Sequence, residues 1–193
     1  MSSAARKLHA EGPHPWRVTT ADYWKMLPFI EGKHVQLIEG VIVEMSPMGE
    51  PHAVTVATLV QALVIALGKK WRVRPQMPLD VGQDSVPEPD IAVLLVAEEQ
   101  RHYPKAPQTA PFVCEVADSS IRLDRGAKLR LYAAAGVAEY VIADLKHGVL
   151  EVYTEPQKLG GYGKKQIVDG HKRYKSSVLP KVTLRPDEIF PRR

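Results

Sequence analysis

The chain has 193 residues, of which 45% are hydrophobic and 25% are charged, close to the average of folded globular domains. This length suits one domain with a full core, and the composition excludes a disordered chain and a disulfide-based scaffold. With 26 basic and 22 acidic residues the net charge is +4, which mildly favours a polyanionic partner such as nucleic acid.

Residues 1–18 are polar, with one glycine and two prolines, which predicts a flexible N-terminal segment. We assign residues 19–193 to a single domain. The longest apolar stretch, residues 53–67, is interrupted by polar side chains and is shorter than the roughly 20 residues that span a bilayer. Residues 1–18 show no secretory signal and Cys114 is the single cysteine, so we expect a cytoplasmic protein without a membrane helix.

The first predicted elements are a short helix and a hairpin. Thr20 is a candidate N-cap for a helix that runs to Leu27 and ends at Pro28. The segments VQLI and VIVEM predict two short strands around Glu39-Gly40, a dipeptide typical of a hairpin turn.

The middle of the chain predicts one long helix and three strands. The helix covers residues 51–67, is apolar on almost every side and stops at Gly68. Such a helix is either enclosed by the fold or packed against another subunit. Strand-like segments follow at residues 71–81, 90–96 and 112–117.

The last third of the chain predicts a further helix and several strands. Asp124 is a candidate N-cap for a helix that continues to Ala135 and ends at Gly136. Short strands are predicted over residues 139–143, 149–153, 165–168 and 182–184, followed by a short segment over residues 187–190. This order of elements predicts an α/β or α+β fold, in which helices pack on a β-sheet.

Two acidic residues stand where the pattern predicts burial. Asp90 opens one apolar strand and Glu115 lies late in the next, so both carboxylates have apolar neighbours. An isolated buried charge costs several kcal/mol unless it is paired, protonated or bound to a cation. If the two strands are antiparallel neighbours, the acids lie side by side and can ligate one hard cation. The alternative for Asp90 is a turn residue that opens its strand.

A lysine adds a third charged group. Lys128, Leu131, Tyr132 and Ala135 fall at i, i+3, i+4 and i+7, the stripe that faces the sheet. An inward ammonium needs acidic or phosphate partners, whereas the alternative is an exposed pair between Lys128 and Asp124. Two acids and a lysine at one spot suit metal-dependent phosphodiester hydrolysis, and Mg²⁺ suits oxygen ligands.

Several segments match one known family. VPEPDIAV, FVCEVADSS and LDRGAKLRLYAAAGVAEYVIAD resemble the Uma-two family of restriction-endonuclease-like proteins, and the resemblance runs from about Thr19 to the C-terminus. It implies membership of the nuclease superfamily named for its Pro-Asp and Asp/Glu-x-Lys motifs. The implied fold is a restriction-endonuclease-like core, a mixed β-sheet flanked by helices with additional β-hairpins.

The resemblance also implies roles for particular residues. Asp90 and Glu115 correspond to the metal ligands, with the backbone carbonyl of Val116 as a third. The strict motif places its lysine two residues after the glutamate, where this chain has Ala117. The family takes its lysine from the following helix, and that position maps to Lys128.

Further polar positions of the family map to Glu39 and His52. Glu39 is a candidate ligand or water-positioning group, or simply a turn acid. His52 is a candidate proton carrier to the leaving oxygen, or an ordinary residue at a helix start. The family usually carries a serine where this chain has Asp118, an acid that either alters metal affinity or points to solvent.

A basic run near the C-terminus is a candidate DNA contact. It comprises Lys164, Lys165, His171, Lys172, Arg173 and Lys175, with Tyr162 and Tyr174 interleaved. Such a run can hold a phosphate backbone and stack on bases, or it can be the solvated face of a hairpin.

Together these features predict a DNA endonuclease that depends on Mg²⁺ or Mn²⁺ and leaves a 5′-phosphate. Cutting both strands needs two sites, so we expect a homodimer formed through the helix over residues 53–67 or through a strand edge. Two alternatives stay open: a catalytically degenerate nuclease-like module that binds nucleic acid or another partner, and a metal-dependent hydrolase of a small phosphorylated molecule.

Overall fold

The computed structural model describes residues 16–30 and 32–191. Most of the segment predicted to be flexible, residues 1–15, therefore lies outside the described residues. Its last part is held in place, because the Val18 N–H donates to the Gly40 carbonyl at 2.9 Å.

The described residues form five helices, ten strands and a 3₁₀ turn at Leu27–Phe29. The helices are α1 (Thr20–Met26), α2 (Glu50–Leu67), α3 (Val96–His102), α4 in three continuous parts (Ile121–Leu123, Asp124–Lys128 and Leu129–Ala134) and α5 (Pro186–Ile189). The strands are β1 (Val35–Ile38), β2 (Val41–Glu44), β3 (Trp71–Pro75), β4 (Ile91–Leu95), β5 (Phe112–Ala117), β6 (Glu139–Asp144), β7 (Val149–Pro156), β8 (Tyr162–Asp169), β9 (Tyr174–Lys175) and β10 (Thr183–Leu184).

A six-stranded sheet in the order β3-β4-β5-β6-β7-β8 forms the centre of the fold. Strands β5 and β6 are parallel, joined by a crossover through α4, and the other neighbours are antiparallel. The β1-β2 hairpin and the β9-β10 pair form two small additional sheets. The prediction of a mixed sheet flanked by helices is therefore confirmed.

The two faces of the sheet bury different helices. Helix α2 contributes Leu59 and Leu63 to one apolar cluster, and α4 contributes Tyr132 to the cluster on the other face. Side chains alternate along β5, so Cys114 joins the α2 cluster while Glu115 lies on the side of α4. The alternation thus turns the strand's one acidic side chain toward a helix that carries a lysine.

Helix α2 matches its predicted span to within one residue. Proline at position 51 suits its first turn, and Gly68, with φ of 66°, ends it. Its outer face leaves Val64 and Ile65 exposed. Among the described residues α2 is the one helix whose length and composition would allow a membrane crossing, and this is weak evidence because its inner face packs into the core.

Two predicted boundaries are wrong for local physical reasons, and one helix was not predicted. Thr19, rather than Thr20, caps α1, because its hydroxyl oxygen accepts the Asp22 N–H. Strand β3 ends at Pro75 instead of residue 81, since Gln76 has φ of 49° and leaves the extended conformation. Helix α3 was not predicted, although Glu98 and Glu99 in its first turn and basic residues in its last turn complement the helix dipole.

The predicted cap of α4 is also wrong. The helix begins at Ile121, and Asp124 lies inside it, at the start of a π-helical turn that ends at Lys128. Asp124 is buried, with 1% of its surface exposed. Its carboxylate therefore contacts Ser120 and Lys128, one turn before it and one turn after it, instead of capping the first turn of the helix.

Candidate active site

Asp90 and Glu115 lie side by side at one end of two antiparallel strands. Ile91 is opposite Cys114 in the register, which places Asp90 against Glu115. The Asp90 N–H donates to Glu115 Oε2 at 3.3 Å, and the Val116 N–H donates to Asp90 Oδ2 at 2.8 Å. The strand pairing therefore fixes both carboxylates.

Glu115 is buried and carries two donors on one oxygen. Lys128 Nζ lies 2.9 Å from Glu115 Oε1, and the Tyr132 hydroxyl donates to the same oxygen at 2.7 Å. Burial raises the pKa of Glu115 to about 8, because the opposing effect of Lys128 is offset by Asp124 and Asp90. The carboxylate is thus poorly neutralised by the groups around it.

Lys128 points into the fold, and its exposed fraction is 4%. Burial acts to lower the pKa of Lys128, but Glu115 and Asp124 outweigh it and raise the pKa, so the ammonium keeps its charge. Its Nζ lies 3.7 Å from Asp124 Oδ1, so the i,i+4 pair exists but is buried. Of the two interpretations left open by the sequence, the inward lysine is the one observed.

His52, in the first turn of α2, reaches Asp90 from the other side. Its Nε2 lies 3.2 Å from Asp90 Oδ2. The hydrogen bond to Asp90 raises the pKa of His52, against the opposite effect of burial. Its Nδ1 is buried and has no hydrogen-bond partner among the described residues. The imidazole is therefore set to hold a proton next to the two acids.

A cavity of about 290 Å³ opens onto these groups. The segment from Met45 to Gly49 forms part of its wall, as do Gln76 and the hairpin residue Gln36. Gln36 is buried, and its Oε1 accepts the Glu88 N–H at 3.3 Å. Gln36 was not among the predicted site residues, although it is the one polar residue of VQLI.

The lining of this cavity is more acidic than the nuclease prediction requires. Beyond Asp90 and Glu115, its acids are Glu44, Glu88 and Asp118. Asp118 is exposed at the rim, where it also lines a neighbouring groove of about 1050 Å³. Asp118 is thus an exposed acid that shares the cavity with Asp90 and Glu115, and its charge contributes to the raised pKa of His52.

Glu39 does not join the site. It occupies the β1-β2 turn with φ of 47°, and its carboxylate pairs with Arg130 of α4 at 3.0 Å. It is absent from the described lining of the cavity, whereas Gln36, three residues earlier on the strand, is part of it. The hairpin therefore contributes Gln36 to the cavity in place of the predicted Glu39.

The basic run near the C-terminus lies apart from the cavity. Lys165 of β8 pairs with Glu151 at 3.1 Å, and Lys172 pairs with Asp169 at 2.9 Å. Tyr162 packs on Tyr140 with ring centroids 6.2 Å apart, and Tyr174 is buried against Glu139. The interleaved tyrosines are part of the core, so they are not free to stack on bases.

A family model described as "Putative restriction endonuclease", Uma2, matches residues 20–187. The chain belongs to the Uma2 family. The resemblance carried by its sequence motifs is thereby confirmed. No curated protein gives a significant match.

Among solved structures, the chain is similar to "a putative nuclease belonging to DUF820 from Anabaena variabilis ATCC 29413". The two chains are 15% identical, the alignment covers 90% of this chain and 97% of the other, and the TM-score is 0.71. At that identity the similarity establishes a shared fold.

Restriction-endonuclease-like folds such as that of the Uma2 family generally use a divalent metal, so the fit of these residues to an ion matters. Among the described residues, no group of three or more His, Cys, Asp or Glu side chains could hold a metal. Mg²⁺ does not require one, since it is usually bound through one or two carboxylates and keeps several waters. Two adjacent carboxylates at a polar cavity fit that mode of binding, and the carbonyl of Val116 stays a predicted third ligand.

Proposed function

We propose that this Uma2-family protein is a nuclease that depends on Mg²⁺ or Mn²⁺ and hydrolyses phosphodiester bonds in DNA. The observation that carries the proposal is the contact of Asp90 with Glu115 and of Glu115 with Lys128 at one cavity. Three carboxylates, those of Asp90, Glu115 and Asp124, face two positively charged groups, the Lys128 ammonium and the protonated His52 imidazole. The excess of negative charge favours an additional cation.

Each residue then has a distinct task. Asp90 and Glu115, with the Val116 carbonyl, would hold the ion, whose chemistry is to polarise the phosphate and lower the pKa of water. Lys128 steadies the attacking water and the charge that grows on the phosphoryl oxygens. Water attacks the phosphorus and the bond to the 3′-oxygen breaks. His52, whose pKa is raised by Asp90, donates a proton to that leaving 3′-oxygen, so the products are a 3′-hydroxyl and a 5′-phosphate.

Nicking of supercoiled plasmid tests the proposal. Wild type is compared with Asp90→Ala and Glu115→Gln in Mg²⁺, in Mn²⁺ and in EDTA. Wild type should nick the plasmid with either metal, and both variants and the EDTA samples should be inactive. Glu39→Gln is the control, because it removes an acid of the β1-β2 turn that lies outside the cavity, and it should retain activity. Equal activity in wild type and Asp90→Ala, or no activity with any metal, would contradict the proposal.

The cavity itself favours one second candidate, the hydrolysis of a small phosphorylated molecule. Its volume of about 290 Å³ and its acidic rim offer little to a long polyanion. Bis(p-nitrophenyl) phosphate and an oligonucleotide, assayed with the same protein and metal, separate the candidates. A higher kcat/KM for the small diester would favour the second candidate, and a higher value for the oligonucleotide the first.

The degenerate nuclease-like module, which binds without cutting, is the weakest of the three candidates. It would gain support from a lysine that faces solvent and an Asp118 that crowds the acids. Instead Lys128 is buried on Glu115 and Asp118 is exposed at the rim.

A further inference from the structure

The turn that carries Lys128 also carries a buried acid, Asp124, in addition to Asp90 and Glu115 of the site. Residues Asp124–Lys128 form a π-helical turn inside α4. Such turns are rare within α-helices and are frequent at functional sites. Both ends of the turn are buried, Asp124 with 1% and Lys128 with 4% of their surface exposed. The local distortion thus places two charged side chains together inside the fold.

The two oxygens of Asp124 have different surroundings. Oδ2 accepts the Ser120 hydroxyl at 2.6 Å. Oδ1 is buried without a hydrogen-bond partner among the described residues, and Lys128 Nζ lies 3.7 Å from it. A buried carboxylate oxygen that lacks a donor is costly, so the nearby ammonium is its main compensation.

Lys128 therefore lies between two carboxylates. Its Nζ is 2.9 Å from Glu115 and 3.7 Å from Asp124. A cation bound by Glu115 would take up part of the charge that now holds the ammonium. A second counterion is then needed, because a buried lysine left without one is strongly destabilised.

We infer that Asp124 is the positioning residue for Lys128: it shares the ammonium with Glu115 in the metal-free protein and keeps it at the site when Glu115 binds a cation. Asp124 is not part of the described lining of the cavity, whereas Lys128 is. Asp124 consequently acts on the reaction through the lysine and makes no contact with the substrate. The catalytic consequence rests on the proposed function, but the contact with Lys128 does not.

Lysine-selective ¹H–¹⁵N NMR of the metal-free protein tests the contact directly. Lys128 is the one buried lysine among the described residues, so its ammonium should give a resonance protected from solvent exchange. We expect this signal in wild type, its absence in Lys128→Gln, and its loss or broadening in Asp124→Asn. Asp144→Asn is the matched control. Asp144 is equally buried and pairs with Arg125 of the same turn, but it lies outside the cavity. This variant should keep the Lys128 signal.

An unchanged Lys128 signal in Asp124→Asn, or no protected signal in wild type, overturns the inference. If Asp124→Asn does not fold, Ser120→Ala provides the milder change, because it keeps the charge but removes the 2.6 Å hydrogen bond that orients the carboxylate. Its Lys128 ammonium should exchange with solvent measurably faster than in wild type. An unaltered exchange rate in that variant also overturns the inference.

A double-mutant cycle of single-turnover cleavage rates, measured at saturating Mn²⁺, tests the catalytic consequence. Asp124→Asn should lower the single-turnover cleavage rate roughly 10- to 100-fold, the usual effect of losing a residue that orients a ligand or catalytic group. In the Lys128→Gln background the same change should alter the rate by no more than about twofold. If the two substitutions instead lower the rate independently, so that their fold-losses multiply in the double variant, the catalytic part of the inference is overturned. Absence of cleavage in wild type contradicts the proposed function and its catalytic consequence, while the NMR result still decides the contact.

Discussion

The Tyr132 hydroxyl donates a hydrogen bond of 2.7 Å to Glu115 Oε1, and both side chains are almost completely buried. Lys128 contacts the same oxygen, whereas Oε2 accepts the Asp90 N–H. The tyrosine therefore fixes the rotation of the carboxylate about its axis. The orientation of Glu115 is set by helix α4 as much as by the strand to which it belongs.

Replacing Tyr132 by Phe should weaken binding of Mn²⁺ roughly 10- to 100-fold, because the carboxylate loses the donor that orients it. Isothermal titration calorimetry measures the affinity. Tyr162→Phe is the control, since Tyr162 belongs to the same aromatic cluster but donates to the Val137 carbonyl. Equal affinities in the two variants would show that the Tyr132 hydroxyl has no orienting role.

The metal-free protein should become less stable as the pH rises from about 5 to about 8. The pKa of Glu115 is raised from its ordinary value of 4.5 to about 8, so in this range the folded state binds more protons than the unfolded state. Stability then falls with increasing pH. Urea unfolding at several pH values measures this slope.

Glu115→Gln should reduce that slope, because the amide does not titrate; His52, whose pKa is also raised, accounts for the part that remains. Glu39→Gln, at an exposed position, should keep the wild-type slope. Added Mg²⁺ should stabilise wild type more at pH 8 than at pH 6, since the ion competes with the proton. A slope as steep in Glu115→Gln as in wild type would assign the pH dependence to a group other than Glu115.

Arg125→Ala should lower the free energy of unfolding by roughly 2 to 3 kcal/mol. Its guanidinium contacts Asp144 and Glu151, which are buried, although Arg125 itself is 40% exposed. Removing one partner of a fully buried pair costs about 3 to 5 kcal/mol, and solvent reduces that value here. Arg130→Ala, which breaks an exposed pair with Glu39, should cost about 1 kcal/mol or less. Similar losses in both variants would contradict this ranking.

The predicted homodimer has a direct test on the outer face of α2. Ile65 of this face is 77% exposed. Replacing it by Glu should convert the dimer to a monomer, as measured by sedimentation velocity. Leu159→Glu is the control, because Leu159 is an equally apolar exposed residue on another surface. A monomeric wild type would contradict the dimer prediction.

The strands and the long helix were predictable because local and tertiary preferences agree there. FVCEVA is a largely apolar run that follows a proline and precedes an Asp-Ser-Ser segment. Strand β5 covers the predicted residues Phe112–Ala117. Asp124 was misassigned because an aspartate before a helical pattern is usually a cap. Spacing encodes its i,i+4 pair with Lys128, but the burial of that pair depends on how α4 packs in the fold. Gln36 and Glu39 were separated only by the orientation of the hairpin, which depends on the Leu37 backbone pairing with Val86.

The crossover helix α4 separates the lysine from the strand motif in sequence but not in space. Position 117, where the strict motif has its lysine, is a buried alanine, while Lys128 delivers an ammonium to Glu115 from the next element. A regular expression written for contiguous spacing would overlook this arrangement. Comparison of where charged atoms lie in space would find it, so relatives of this kind are better sought by atomic position than by motif string.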